Sequence, residues 1–385
     1  MEARPFSIQI SDDQLDDLRR RLDTVRWPDA FDEDGWDDGT SLAFMRRLVE
    51  HWRNRFDWRQ AEARLNRLPQ FLAEVDGQTL HFVHQRGVGP APLPLIITHG
   101  WPGSFIEMER IIPLLTDPGA HGGDSADAFH VVVPSLPGYG FSAPPREAGF
   151  GPHRISELWQ TLMTGLGYER FGAQGGDWGA SISTWLAHRF PAQILGLHLN
   201  FIPGSYRPPL GEGLPPPTDE ERAFLATQAQ WADGEGAYGH IQGTRPQTLG
   251  FGLTDSPIGL AAWMAEKFRA WSDCGGDVEQ SFSLDDLLTN ISLYWFSGTV
   301  TSTLRLYREN RRRPVHFQSG ERVVPPLGVA RFPRELPMPP RSWLERVFTV
   351  ERSTEMPRGG HFAAMEEPEL LARDIQAFFR PLRLD

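Results

Sequence analysis

The sequence predicts an α/β domain with a mostly parallel sheet, preceded by a helical extension and interrupted by a helical insertion. Three observations carry this. The apolar runs PLIITHG, residues 94–100, and HVVVPSLPG, residues 130–138, read as strands buried on both faces. Amphipathic helical stretches alternate with such runs, the pattern of a parallel sheet. The alternation stops near residue 203 and resumes near 316. Between them lies PGSYRPPLGEGLPPPTDEE, followed by helical, aromatic-rich sequence.

The elements follow in order. Residues 11–23, SDDQLDDLRRRLD, open with a capping box, Ser11 and Gln14, and put Leu15, Leu18 and Leu22 on one helical face. A second helix is expected over 41–54, with Phe44, Met45, Leu48, Val49 and Trp52 inward. The acidic loop between them, FDEDGWDDG, lacks the alternating ligands and terminal glutamate of a calcium loop. FLAEVDG and QTLHFVHQR alternate as an antiparallel pair turning at Asp76-Gly77. His81 and His84 on that strand point to opposite faces, a poor metal pair. RISELWQTLMTGLG is a helix with Ile155, Leu158, Trp159, Leu162 and Leu166 on one side. QILGLHLNF, PPLGVARF and RVFTVERST are strands, and a last helix starts at Pro368. The expected divisions are a helical extension at 1–70, core segments at 71–203 and 316–385, and a helical cap at 204–315.

Composition excludes several partners. The chain has 385 residues, with 40% apolar and 23% charged side chains, an ordinary globular balance. A net charge of -12 argues against nucleic acid and anionic membranes. Cys274 is the only cysteine, so no internal disulfide forms. No signal peptide or spanning stretch is visible, and a cytoplasmic protein is expected. Of the 38 basic residues, only Lys267 is a lysine.

RFGAQGGDWGASIS, residues 170–183, reads as strand, tight turn and helix. Gly175-Gly176-Asp177-Trp178-Gly179 fits G-x-Nuc-x-G, a nucleophile elbow, with Asp177 at its apex. The plain alternative is a βα loop with an N-cap aspartate. The loop HGWPGS, residues 99–104, stands where an α/β-hydrolase fold supplies oxyanion-hole amides. The candidate donors are the backbone N–H groups of Trp101 and Trp178. Nucleophile, acid and base follow that chain order in this fold. His361 stands between the last strand and the last helix, so it is the candidate base. Glu335, after the strand PPLGVARF, is the candidate acid. Glu351 and Glu355 lie on or beside the next strand, less well oriented.

An aspartate at the elbow selects the chemistry. Serine opening an epoxide would leave an ether that water cannot easily cleave. A carboxylate leaves an ester, which a base-activated water hydrolyses inside the oxyanion hole. The target is therefore an sp³ carbon bearing a halide or an epoxide oxygen. An epoxide oxygen needs an acid, and tyrosine suits that role. Four of the 6 tyrosines lie in or beside the insertion: Tyr206, Tyr238, Tyr294 and Tyr307.

These residues resemble a known family. HGWPGS, PSLPGYGFS, GGDWGA, RGGHFAAMEEPELLARDI, the opening PFSIQISDDQLDDLRRRLDTVRWPD and the insertion's GHIQGTRPQTLGFGLTDSPIGLAAWMAEKF are similar to microsomal-type and juvenile-hormone-type epoxide hydrolases, in a soluble bacterial form. The resemblance implies an α/β-hydrolase fold with a helical cap. It implies Asp177 as nucleophile, His361 as base and Glu335 as relay acid, and picks out Tyr238 and Tyr307 as the acids. Tyr206 and Tyr294 are read as packing residues. The expected reaction is hydrolysis of a bulky apolar or aromatic epoxide to a vicinal diol, with no cofactor and no metal. The expected partner is the small-molecule epoxide alone; the N-terminal appendage offers a surface for homodimerisation. No counterpart of the family's membrane-anchoring N-terminal helix is expected here, so no membrane anchoring is expected either. The rival readings are a haloalkane dehalogenase and an inactive α/β-hydrolase acting as a binding protein.

Overall fold

The structure is a computed structural model that describes residues 1–31 and 35–383. The acidic stretch weighed as a calcium loop falls partly at 32–34, outside the described residues. Among the described residues nine strands form one sheet: β1 (Ala3–Phe6), β2 (Gln70–Val75), β3 (Gln78–Gln85), β4 (Leu93–Thr98), β5 (Phe129–Pro134), β6 (Phe171–Gly175), β7 (Ile194–Leu199), β8 (Val323–Arg331) and β9 (Phe348–Glu355). Their order is β1-β2-β3-β5-β4-β6-β7-β8-β9. The first three pair antiparallel, β3 also joins β5 antiparallel, and every pair from β5 to β9 is parallel. The β2–β3 hairpin turns at Asp76 (φ 49°) and Gly77 (φ 78°), as a two-residue turn with both centres left-handed requires.

The parallel strands are buried on both faces, and helices cover them. Leu95, Ile96, Ile97, Val131, Val132 and Val133 are fully inaccessible. Helix Pro152–Gly165 packs Ile155, Leu158, Trp159 and Leu162 against the sheet; helix Pro368–Phe379 adds Leu371, Ile375, Phe378 and Phe379. The capping box at Ser11 and Gln14 starts helix Asp12–Asp23, and Leu42–Asn54 buries the expected apolar face.

Two features were not read from the sequence. The extension carries β1, which adds an edge strand through Ala3↔Ala73 to Phe6↔Gln70. It also grips the helical insertion. Thr40 Oγ1 donates to the Ala262 carbonyl at 2.8 Å, and Trp52 Nε1 to Ser292 Oγ at 3.1 Å. Arg21 pairs with Asp255 at 3.0 Å.

Between β7 and β8 run helices Asp219–Glu235, Ala237–Thr244, Pro246–Asp255, Pro257–Trp271, Leu284–Ser297 and Val300–Arg312. They lie over the loops that follow the parallel strands, where a sheet of this kind carries its chemistry. No helix among the described residues is long and apolar enough to cross a membrane.

Candidate active site

The elbow forms as its sequence requires. β6 ends at Gly175 and helix Asp177–Arg189 begins at once. Asp177 sits at φ 44°, a left-handed backbone that costs a residue other than glycine about 1–3 kcal/mol. The turn is tight enough that a Cβ at Gly179 would lie 1.9 Å from the Thr98 carbonyl oxygen, and one at Gly175 2.3 Å from the Gly179 carbonyl carbon. The helix N-terminus supplies a positive end beneath the carboxylate.

The loop after β4 approaches from one side. The Trp101 backbone N–H donates to Asp177 Oδ1 at 2.7 Å. A Cβ at Gly100 would sit 2.1 Å from that same oxygen, so only glycine allows the approach. The insertion helix Leu284–Ser297 holds this loop. Tyr294 Oη donates to the Gly103 carbonyl at 2.6 Å, and Asn290 Nδ2 to the Pro102 carbonyl at 2.8 Å.

His361 approaches from the other side. Its Nε2 lies 3.4 Å from Asp177 Oδ2, and its Nδ1 lies 2.6 Å from Glu335 Oε1. Both His361 and Glu335 side chains are almost inaccessible, at 3% and 1%. Burial alone would lower the imidazole pKa, but the charge of Glu335, with Asp177, holds it well above the ordinary histidine value. Glu335 Oε1 also accepts the Leu336 N–H at 2.7 Å, which fixes the carboxylate. Glu351 and Glu355 are exposed on β9, and Glu355 pairs with Arg331 at 3.2 Å.

Tyr238 and Tyr307 meet edge to face, with ring centroids 5.8 Å apart. Trp101 stacks on Tyr238 at 5.5 Å and meets Tyr307 edge-on at 5.7 Å; Trp178 lies edge-on to Tyr307 at 4.6 Å. Desolvation pushes both phenols up, and the charge of Asp177 adds to it, so both keep their protons. Tyr206 is buried elsewhere, donating to the Trp343 carbonyl at 3.0 Å.

Comparison with known proteins follows the same outline. Residues 3–108 match the model described as "Epoxide hydrolase N terminus", and residues 94–234 match "alpha/beta hydrolase fold". Epoxide hydrolase 1 of Oryctolagus cuniculus is 39% identical over 405 residues, covering 97% of this chain and 88% of the rabbit protein. The chain belongs to the epoxide hydrolase family. A Stigmatella aurantiaca relative, itself only provisionally assigned as an epoxide hydrolase, is 47% identical over 384 residues, covering 98% of this chain and 85% of its own. The structure of Aspergillus niger epoxide hydrolase superimposes with a TM-score of 0.86 at 31% identity, covering all of this chain and 97% of that one.

Two further groups lie beside these residues and were not among the sequence candidates. Glu107, from the turn Phe105–Met108, lines a cavity of about 20 Å³ together with Asp177, His361, Gln174 and Asn200. That is room for one water. Burial pushes the Glu107 carboxyl up to about 8, against the opposing pull of His361. Lys267, the chain's one lysine, is buried with Nζ 4.7 Å from the Tyr238 ring centroid and 2.8 Å from Glu266 Oε2. No sequence motif marks Glu107; the lone lysine in an arginine-based chain was a signal for Lys267.

Proposed function

We propose that the chain hydrolyses an epoxide to a vicinal diol through an ester on Asp177. The reading rests on one observation: His361 Nε2 lies 3.4 Å from Asp177 Oδ2, and the partly buried rings of Tyr238 and Tyr307 pack on Trp101, whose N–H Asp177 accepts, and on Trp178, the residue after Asp177. Tyr238 and Tyr307 bind the epoxide oxygen. Asp177 Oδ2 attacks a ring carbon; the new C–O bond forms as the ring C–O bond breaks, and a tyrosine proton passes to the alkoxide. Tyrosine recovers its proton from solvent.

Ester formation also prepares the second step. It removes the anion that faced His361 Nε2, which lowers the imidazole pKa and frees it to act as a base. A water in the small cavity meets His361 and Glu107, loses a proton to His361 and attacks the Asp177 carbonyl carbon. Oδ1 becomes the oxyanion, held by the Trp101 N–H and, in this reading, the Trp178 N–H. Collapse breaks the bond to Oδ2; the departing oxygen takes the proton held by His361, which releases the diol, and the Asp177 carboxyl loses its own proton to solvent and keeps one oxygen from water. No metal or organic cofactor enters the route. The indole and phenol walls suit a bulky apolar or aromatic epoxide.

Single turnover in heavy-oxygen water tests this. The first diol is unlabelled and the label appears in the peptide containing Asp177; label in the diol instead would exclude the ester. A halide leaving group has one observation in its favour. The indole Nε1 atoms of Trp101 and Trp271 are buried without a hydrogen-bond partner, and such N–H groups suit a halide. Halide release from a haloalkane panel separates the two readings.

A further inference from the structure

The base His361 is held by backbone contacts from two directions. Its own N–H donates to the Trp271 carbonyl at 2.9 Å, and Trp271 is the last residue of insertion helix Pro257–Trp271. Two residues before His361, the Gly359 N–H donates to Asp273 Oδ2 at 2.9 Å. One residue after it, the Phe362 N–H donates to Glu366 Oε1 at 2.9 Å. The other oxygen of that carboxylate, Glu366 Oε2, accepts the Asp273 N–H at 2.7 Å. Glu366 thus bridges the end of the insertion helix and the His361 loop, one oxygen on each.

The packing leaves the loop little alternative. A Cβ at Gly360 would lie 2.6 Å from the Trp271 carbonyl oxygen, and Gly359 adopts φ 103°. Phe362 stacks on Phe268 of the same helix with centroids 4.2 Å apart, and the Trp271 ring stands edge-on to His361 at 5.1 Å. Trp271 also packs against Tyr238 at 5.1 Å. One helix therefore touches both the acid and the base of the proposed reaction.

We propose that Glu366 and Asp273 form a clamp that positions His361 and makes its alignment depend on the seating of helix Pro257–Trp271. This rests on the reading of His361 as the base of ester hydrolysis. Neither carboxylate has been placed on substrate or water; both act through the backbone around His361. A buried carboxylate can accept two N–H groups, whereas an amide oxygen can accept only from one side while its NH₂ faces the other donor. Loosening the clamp shifts the base, and ester formation, which does not use His361 as a base, is spared.

The test measures the two half-reactions separately, by rapid-quench mass spectrometry of the intact protein mixed with an aromatic epoxide. Glu366→Gln keeps the side-chain size. It is expected to slow ester hydrolysis about 10- to 100-fold while alkylation stays within about twofold. Asp273→Ala, at a partly exposed position, frees Gly359 from the other direction and gives the same selective defect. It decides the matter if Glu366→Gln does not fold. Unchanged hydrolysis, or equal slowing of both steps in a folded variant, overturns the clamp. If the wild-type protein forms no ester at all, the functional reading fails first and the clamp falls with it.

Discussion

Replacing Tyr307 by phenylalanine removes one hydroxyl and leaves the ring. The ring keeps its edge contacts with Trp178 at 4.6 Å and Trp101 at 5.7 Å, so the wall stays packed. The lost group is a hydrogen bond to the oxygen that becomes an alkoxide, and bonds to charged groups are worth about 1.5–3 kcal/mol. At 1.36 kcal/mol per tenfold, alkylation slows about 10- to 150-fold. Tyr238 remains as the second donor, which bounds the loss. Removing both hydroxyls leaves the alkoxide without a donor and multiplies the defect to about 100-fold or beyond, up to about 20,000-fold if the two losses add. The assay is a burst experiment following ester formation and decay. Hydrolysis of the ester keeps its wild-type rate, because the alkoxide is already protonated by then. Because both phenols are raised from their ordinary value, their ionisation adds no basic limb to wild-type alkylation up to about pH 10. Equal slowing of both half-reactions, or no change in alkylation, refutes the assignment.

His361→Gln is expected to form the ester and stall, with hydrolysis reduced about 100- to 10,000-fold; intact-mass spectrometry sees the adduct accumulate. Gly100→Ala puts a Cβ within 2.1 Å of Asp177 Oδ1 and is expected to cost more than about 100-fold in alkylation, read in the same burst assay, with the fold retained by circular dichroism. Glu107→Gln is a stability test. Burial raises the native pKa to about 8, so the folded protein binds a proton that the unfolded chain releases near pH 4.3. Wild-type stability therefore falls as pH rises through that window. The variant lacks this term and gains on wild type, on the order of a few kcal/mol, between urea melts at pH 5 and pH 9.

The legible parts of the site were those written locally. The elbow is read from five consecutive residues because its tight turn demands glycine at 175 and 179, whatever surrounds it. His361 and Glu335 were legible from chain order, since each follows a recognisable strand. Glu107 was not. It reaches the small cavity because the turn Phe105–Met108 folds back against Gly103, a contact with no periodicity to betray it. Tyr294 was read as packing, and it is buried, yet its hydroxyl fastens the Trp101 loop; that job depends on a partner 191 residues away. β1 escaped because four residues, ARPF, hold too few alternations to register as a strand. The insertion was legible as helical from composition, but the grip of the N-terminal extension on it was not.

The two oxygens of the Asp177 side chain are not equivalent. Oδ1 is pinned by the Trp101 N–H at 2.7 Å, while Oδ2 faces the imidazole. Under the proposed route the pinned atom never leaves, and each turnover carries away only the atom at the Oδ2 position and replaces it from water. Repeated catalysis in heavy-oxygen water then labels one carboxylate oxygen quickly. The second acquires label only when the side chain turns over about its own axis between cycles. The ratio of doubly to singly labelled protein thus becomes a clock for carboxylate rotation inside the site, wound by catalysis itself.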